Sequence, residues 1–195
     1  MKLTAAALVV AIVAIALSFA AHGAGEEGLR SAIRATARVS AVLLAVTFMA
    51  SSLHAIGRAK WTRWLLLHRR NLGLGFAIVQ FAHLGVVLAL AELHTTSFRA
   101  TTAMSSVVGG AIGYVWIAAM AVTSFEGPRK RMGPRAWRAL HVSGMYLLWG
   151  IFVASYGPRA RSQPLYAAFL VLMLLALAVR ITARRVRRTS DLALR

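Results

Sequence analysis

Six apolar stretches, at about 4–22, 37–56, 71–92, 102–125, 139–157 and 164–183, dominate the sequence. Each is long enough, or nearly so, to cross a hydrocarbon core about 30 Å thick as an α-helix rising about 1.5 Å per residue. The loops between them are short and leave no segment for a soluble domain. The chain of 195 residues therefore reads as a single all-α domain over 1–195, a six-helix transmembrane bundle. All four prolines (Pro128, Pro134, Pro158 and Pro164) fall in loops or at the first turn of a span, where a missing N–H is tolerated. The spans thus lack the proline breaks that build transporter sites.

Composition agrees. Apolar residues make up 59% and charged residues 14%, where a soluble domain carries about a quarter charged. Mean hydropathy is +0.68. The charge is one-sided: 23 Lys and Arg stand against Glu26, Glu27, Glu92, Glu126 and Asp191, for a net +18. A nucleic-acid domain keeps its basic residues on a wet face, whereas here they cluster between apolar runs, so nucleic acid is not expected as a partner and the lipid bilayer is. The apolar content excludes disorder. Zero cysteine excludes a disulfide scaffold, iron–sulfur clusters, thioether-attached haem and dithiol chemistry.

Orientation follows from the basic residues. With the amino terminus inside, the inner segments carry Lys2, then Arg58, Lys60, Arg63, Arg69 and Arg70, then Arg129, Lys130, Arg131, Arg135 and Arg138. The tail adds Arg180, Arg184, Arg185, Arg187, Arg188 and Arg195. Only Arg30, Arg34, Arg38, Arg99, Arg159 and Arg161 lie outside. This bias predicts a multi-pass protein with both termini in the cytoplasm. Topology alone accounts for most of these charges. The first span also has the basic start and small residues near Ser18–Ala24 of a signal peptide, but its apolar run of about 18 residues favours a retained helix.

Polar groups within spans are where function is sought in such a chain. His22 and His94 fall at outer span ends, and His54 near an inner one. His83 lies about twelve residues into the third span, His141 just inside the fifth, and His68 at the cytoplasmic end of the third. A neutral imidazole in a bundle satisfies its two nitrogens by hydrogen bonds to a neighbouring helix or by a metal. Several histidines on parallel spans favour haem, which takes an imidazole from each of two facing helices. Gly73, Phe76, Gln80, His83 and Val87 form one stripe of the third span, and His141, Gly144, Met145, Leu148, Phe152 and Ser155 one of the fifth. Glycines 73, 75, 85, 144 and 150 either clear space for a flat ring or serve ordinary helix packing. Gly109, Gly110 and Gly113 read as packing residues, and Gly73 and Gly75 form no dinucleotide fingerprint because Ile78 occupies the third position.

Arg69-Arg70-Asn71-Leu72-Gly73-Leu74-Gly75 followed by His83 resembles the third-helix motif of the ferric-reductase-like transmembrane domain family. Arg135-Ala136-Trp137-Arg138-Ala139-Leu140-His141 is similar to the start of that domain's fifth helix. The resemblance covers nearly the whole chain, and it is nearest to the small bacterial haem-bearing subunits that feed electrons to a periplasmic methionine sulfoxide reductase. It implies a b-type haem protein that carries electrons across the membrane, an oxidoreductase subunit rather than a self-contained enzyme. By motif position, His83 takes the third-helix ligand and His141 the first fifth-helix ligand. A second fifth-helix histidine is usual thirteen residues later; here that position is Ala154, beside Ser155 and Tyr156. His83 also sits about eight residues deeper than His141, about 12 Å along the axis. One haem is therefore expected rather than two, with His83 and His141 as the metal ligands and His68, then His54, in reserve. Arg69, Arg70, Arg135 and Arg138 border the inner site as candidates for propionate pairing, and Gln80 and Ser155 as hydrogen-bond partners.

No general base, nucleophilic triad or nucleotide-binding domain is legible. Electrons are expected from a quinol, a flavin or a separate flavoprotein on the cytoplasmic face, and they leave to an extracytoplasmic acceptor protein, ferric chelate or oxygen. A scaffold or sensor that has lost haem ligands is the rival reading, favoured by Ala154. A histidine proton relay is a third, weakened by the scarcity of intramembrane carboxylates.

Overall fold

The computed structural model describes residues 2–193, with side-chain surroundings through 186. The side chains of Arg187, Arg188 and Asp191, and all of Arg195, lie outside the described residues. The described chain is helical throughout: α1 (Lys2–His22), α2 (Glu26–Ile56), α3 (Lys60–Leu93), α4 (Thr95–Thr101), α5 (Met104–Val122), α6 (Glu126–Met132), α7 (Pro134–Tyr156) and α8 (Pro164–Ala193). A 3-10 turn, Pro158–Arg161, joins α7 to α8. Six of these helices, α1, α2, α3, α5, α7 and α8, are long and apolar enough to cross a membrane, and they form the expected all-α six-helix bundle.

Helix boundaries follow local chemistry. Pro134 and Pro164 open α7 and α8 at the position whose N–H has no intrahelical partner. The α1–α2 and α6–α7 joints turn at Gly23 (φ +74°) and Gly133 (φ +78°), a region that residues with a Cβ avoid. Six crossings bring Lys2, the α2–α3 turn, α6 and the end of α8 to one side, the basic end of the bundle.

The central element is α2, which packs against α1, α3 and α8. Its buried face carries Ala32, Thr36, Ser40, Ala41, Leu44, Ala45 and Phe48, residues spaced by three and four and mostly small. Small side chains let helix backbones approach closely, which drives association where lipid is as apolar as leucine. Gly75 plays the same part on α3, since a Cβ there would lie 3.0 Å from Ala7 Cβ on α1. The remaining helices form a second group, with α7 against α5 and α8. Between the groups α3 and α7 meet through side chains, where the rings of Phe76 and Phe152 lie 6.2 Å apart.

At the opposite end, Glu26 ties α2 to α4. Its Oε1 accepts from Arg30 Nε at 2.7 Å and from Ser97 Oγ at 2.6 Å, and Arg30 also donates to Ser97 and Thr101. His94 Nδ1 lies 3.8 Å from the second Glu26 oxygen.

Candidate functional site

A cavity of about 720 Å³ opens at the basic end, walled by α2, α3, α5, α7 and α8, with Arg129 of α6 also lining it. Six arginines line it: Arg69, Arg70, Arg129, Arg138, Arg180 and Arg184. No carboxylate is among the described lining residues. The rest of the wall is mixed, with Leu44, Phe76, Ile117 and Met145 on the apolar side and Thr47, Ser52 and Ser124 on the polar side.

Several of these guanidiniums are fixed by carbonyls and rings in place of acids. Arg180 Nε donates to Tyr146 Oη at 2.9 Å and its Nη1 to the Phe48 carbonyl at 3.0 Å. The same guanidinium lies 4.3 Å from the Phe48 ring centre and 4.8 Å from that of Tyr146. Arg69 Nε donates to the Thr47 carbonyl at 3.3 Å. Arg129 stands over Trp137, and Arg70 over Phe125. Carbonyls and π-faces orient a guanidinium without neutralising it, so the cavity keeps its positive field.

His141 is the imidazole of this cavity. Its Nε2 lies 3.2 Å from Thr123 Oγ1, and its ring 4.3 Å from that of Trp137. Thr123 Oγ1 is also 2.7 Å from the Ala119 carbonyl, and a carbonyl can only accept. The threonine proton is therefore spent there, so Thr123 accepts from His141 Nε2–H and leaves the lone pair on Nδ1. Trp137 Nε1 donates to the Thr123 carbonyl at 2.9 Å, completing a clamp around the ring.

The structure brings together His141, Arg69, Arg70 and Arg138, and leaves six expected residues elsewhere. His83 is half-buried on the α2–α3 seam, its Nδ1 2.9 Å from Thr36 Oγ1. Gln80 shares that seam and accepts from Ser40 Oγ at 3.3 Å. The cavity reaches along α3 only to Ala77, six residues short of His83, about 9 Å on a helix. His68 stacks on Trp64, with ring centres 4.4 Å apart, and its Nδ1–H donates to the Trp64 carbonyl, away from the cavity. His54 is held by Thr62 at 3.1 Å, Ser155 donates to its own helix at the Ile151 carbonyl, and Arg135 is not a lining residue.

Of the glycines considered for ring clearance, only Gly73 borders the cavity. A Cβ on Gly144 would stand 2.5 Å from Trp116 Cδ1 and 2.7 Å from Met120 Sδ, so that space is filled by the protein itself. Gly85 and Gly150 face open space. Trp116 Nε1, on this α5–α7 seam, is a buried donor with no hydrogen-bond partner among the described residues.

In the sequence, Arg129, Arg180 and Arg184 are accounted for by topology alone. The spacing of Arg180 and Arg184, one turn apart where the last span ends, already placed two guanidiniums on one helix face. Among the described residues no three His, Cys, Asp or Glu side chains gather as a metal-holding group. The sequence matches no protein-family model and no curated protein.

Proposed function

We propose that this chain is a b-type haem membrane protein that carries electrons across the bilayer, as its resemblance to the ferric-reductase-like transmembrane domain implies. The observation that supports this reading is the meeting of His141 with six arginines and no described carboxylate in one cavity. About 720 Å³ falls within the roughly 300–1,000 Å³ of small-molecule and cofactor sites.

Of the lining residues, His141 would hold a haem iron, and Arg69, Arg70 and Arg138 would pair with its propionates. His83 is not a lining residue; it faces Thr36 on another seam. A haem held there would supply one-electron redox chemistry. The chain's own residues orient and hold. Thr123 and Trp137 fix the plane of the His141 ring. Arg69 and Arg180, already anchored on the Thr47 and Phe48 carbonyls, meet an anion with little further ordering. The excess of Lys and Arg at this end supports a cytoplasmic orientation, and the resemblance implies a bacterial inner membrane. Electrons then enter from a quinol, flavin or flavoprotein on the basic side and leave to an acceptor on the other.

A second reading, a scaffold or sensor on the same fold, is favoured by one observation: no second histidine lines the cavity. The dithionite-reduced-minus-oxidised spectrum of the detergent-purified protein decides between them. The electron-carrier reading expects a b-type signal near one haem per chain, abolished by His141→Ala. A chain that stays haem-free when expressed with ample haem overturns it in favour of the scaffold.

A further inference from the structure

A second cavity, of about 630 Å³, adjoins the first and shares Arg70 and Leu74 with it. Its other walls are the start of α1, Asn71 of α3, and Phe125 at the turn before α6. Lys2, Arg70 and Asn71 give it two cations and an amide, and Ala5, Leu74 and Phe125 an apolar floor. No carboxylate is among its described lining residues. Arg70 forms no ion pair among the described residues; its guanidinium rests 5.5 Å from the Phe125 ring centre.

The groove lies on the perimeter of the bundle. Among the described contacts α1 packs only on α2 and α3, while Lys2, Ala5 and Phe125 are exposed. Its polar and apolar parts are also ordered along the membrane normal. Lys2 precedes the apolar run of α1, and Arg70 and Asn71 stand where the apolar run of the third span begins. Ala5 and Leu74 follow each by about one turn. The groove thus changes from cationic to apolar at the depth where a phospholipid changes from headgroup to acyl chain. Cationic pockets at this level attract anionic lipid.

We infer that this groove binds an anionic phospholipid of the leaflet at the basic end, its phosphate on Arg70 and Lys2 and its acyl chain along Ala5 and Leu74. The inference does not rest on haem: Arg70 borders both cavities, and with Arg70 on the lipid, Arg69 and Arg138 remain for propionates.

The test is binding of phosphatidylglycerol and, separately, phosphatidylcholine to the full chain in mild detergent, with bound lipid read by native mass spectrometry. Phosphatidylglycerol is expected to bind selectively. Lys2→Gln and Arg70→Gln should each weaken it about fivefold, the effect of losing one interfacial cation. Arg184→Gln, in the central cavity alone, should leave it unchanged. If Arg70→Gln does not fold, Lys2→Gln carries the comparison. Equal retention of both lipids, wild-type binding by the folded groove variants, an equal loss in Arg184→Gln, or displacement by millimolar inorganic phosphate each overturns the assignment.

Discussion

His83 Nδ1 and Thr36 Oγ1 face each other at 2.9 Å across the seam between α3 and α2. Thr36 Oγ1 also stands 2.7 Å from the Ala32 carbonyl of its own helix, so its one proton is committed. The histidine must donate through Nδ1–H, which leaves Nε2 with the lone pair. His54 with Thr62 repeats the arrangement, and His141 with Thr123 mirrors it through Nε2. In each pair a backbone carbonyl takes the threonine proton, and the threonine thereby fixes the tautomer of an imidazole on another helix.

Thr36→Val keeps the shape of this seam and removes its acceptor. The stranded Nδ1–H should cost about 0.5–2 kcal/mol, towards the lower end because hydrogen bonds between membrane helices are modest. Thr36→Ser should recover most of it. Thermal unfolding in detergent measures both, and equal midpoints for the valine variant and the wild type would show that the bond contributes nothing.

Haem content should separate the two helices. His141→Ala is expected to lower haem per chain at least about tenfold, since loss of even an outer-shell partner of a metal ligand costs about that much, whereas His83→Ala should keep most of it. Pyridine haemochrome quantification of both variants reads this directly. The reverse pattern would move the cofactor to the α2–α3 seam.

Gly144 and Gly150 lie on one helix and should respond oppositely. The Cβ of Gly144→Ala meets the rigid Trp116 ring, so overpacking should cost about 1–3 kcal/mol. Gly150→Ala meets nothing within 4 Å, and the better helix propensity of alanine should leave it neutral or up to about 1 kcal/mol more stable. A matched pair of melting curves checks the sign of each.

Arg180 staples α8 to α2 and α7 through the Phe48 carbonyl, the Tyr146 hydroxyl and both rings. Arg180→Met keeps much of the length and loses all four contacts, which should destabilise by about 1–3 kcal/mol. Arg180→Lys retains the charge without the planar fork and should fall between. If the methionine variant melts with the wild type, the guanidinium serves the cavity and not the bundle.

The six apolar spans are legible without the structure, because hydrocarbon length and backbone hydrogen bonding leave an uninterrupted apolar run little choice but a spanning helix. Hydropathy saw less of α2 and α3, which run from Glu26 and Lys60 while their apolar parts begin near 37 and 71. The polar extensions are helical too, but a rule based on lipid solubility is blind beyond the lipid. It also passed over the short α4 and α6, since one or two turns give no periodicity to read. Among the candidate residues, Arg69, Arg70, Arg138 and His141 were legible because they border a span at one depth. That Arg180 and Arg184 join them, and that His83 turns to Thr36, follows only from how the helices pack. Which face a helix presents to which neighbour depends on the small residues that let α2 nest against α1, α3 and α8, a relation between distant segments that no single stretch of sequence contains.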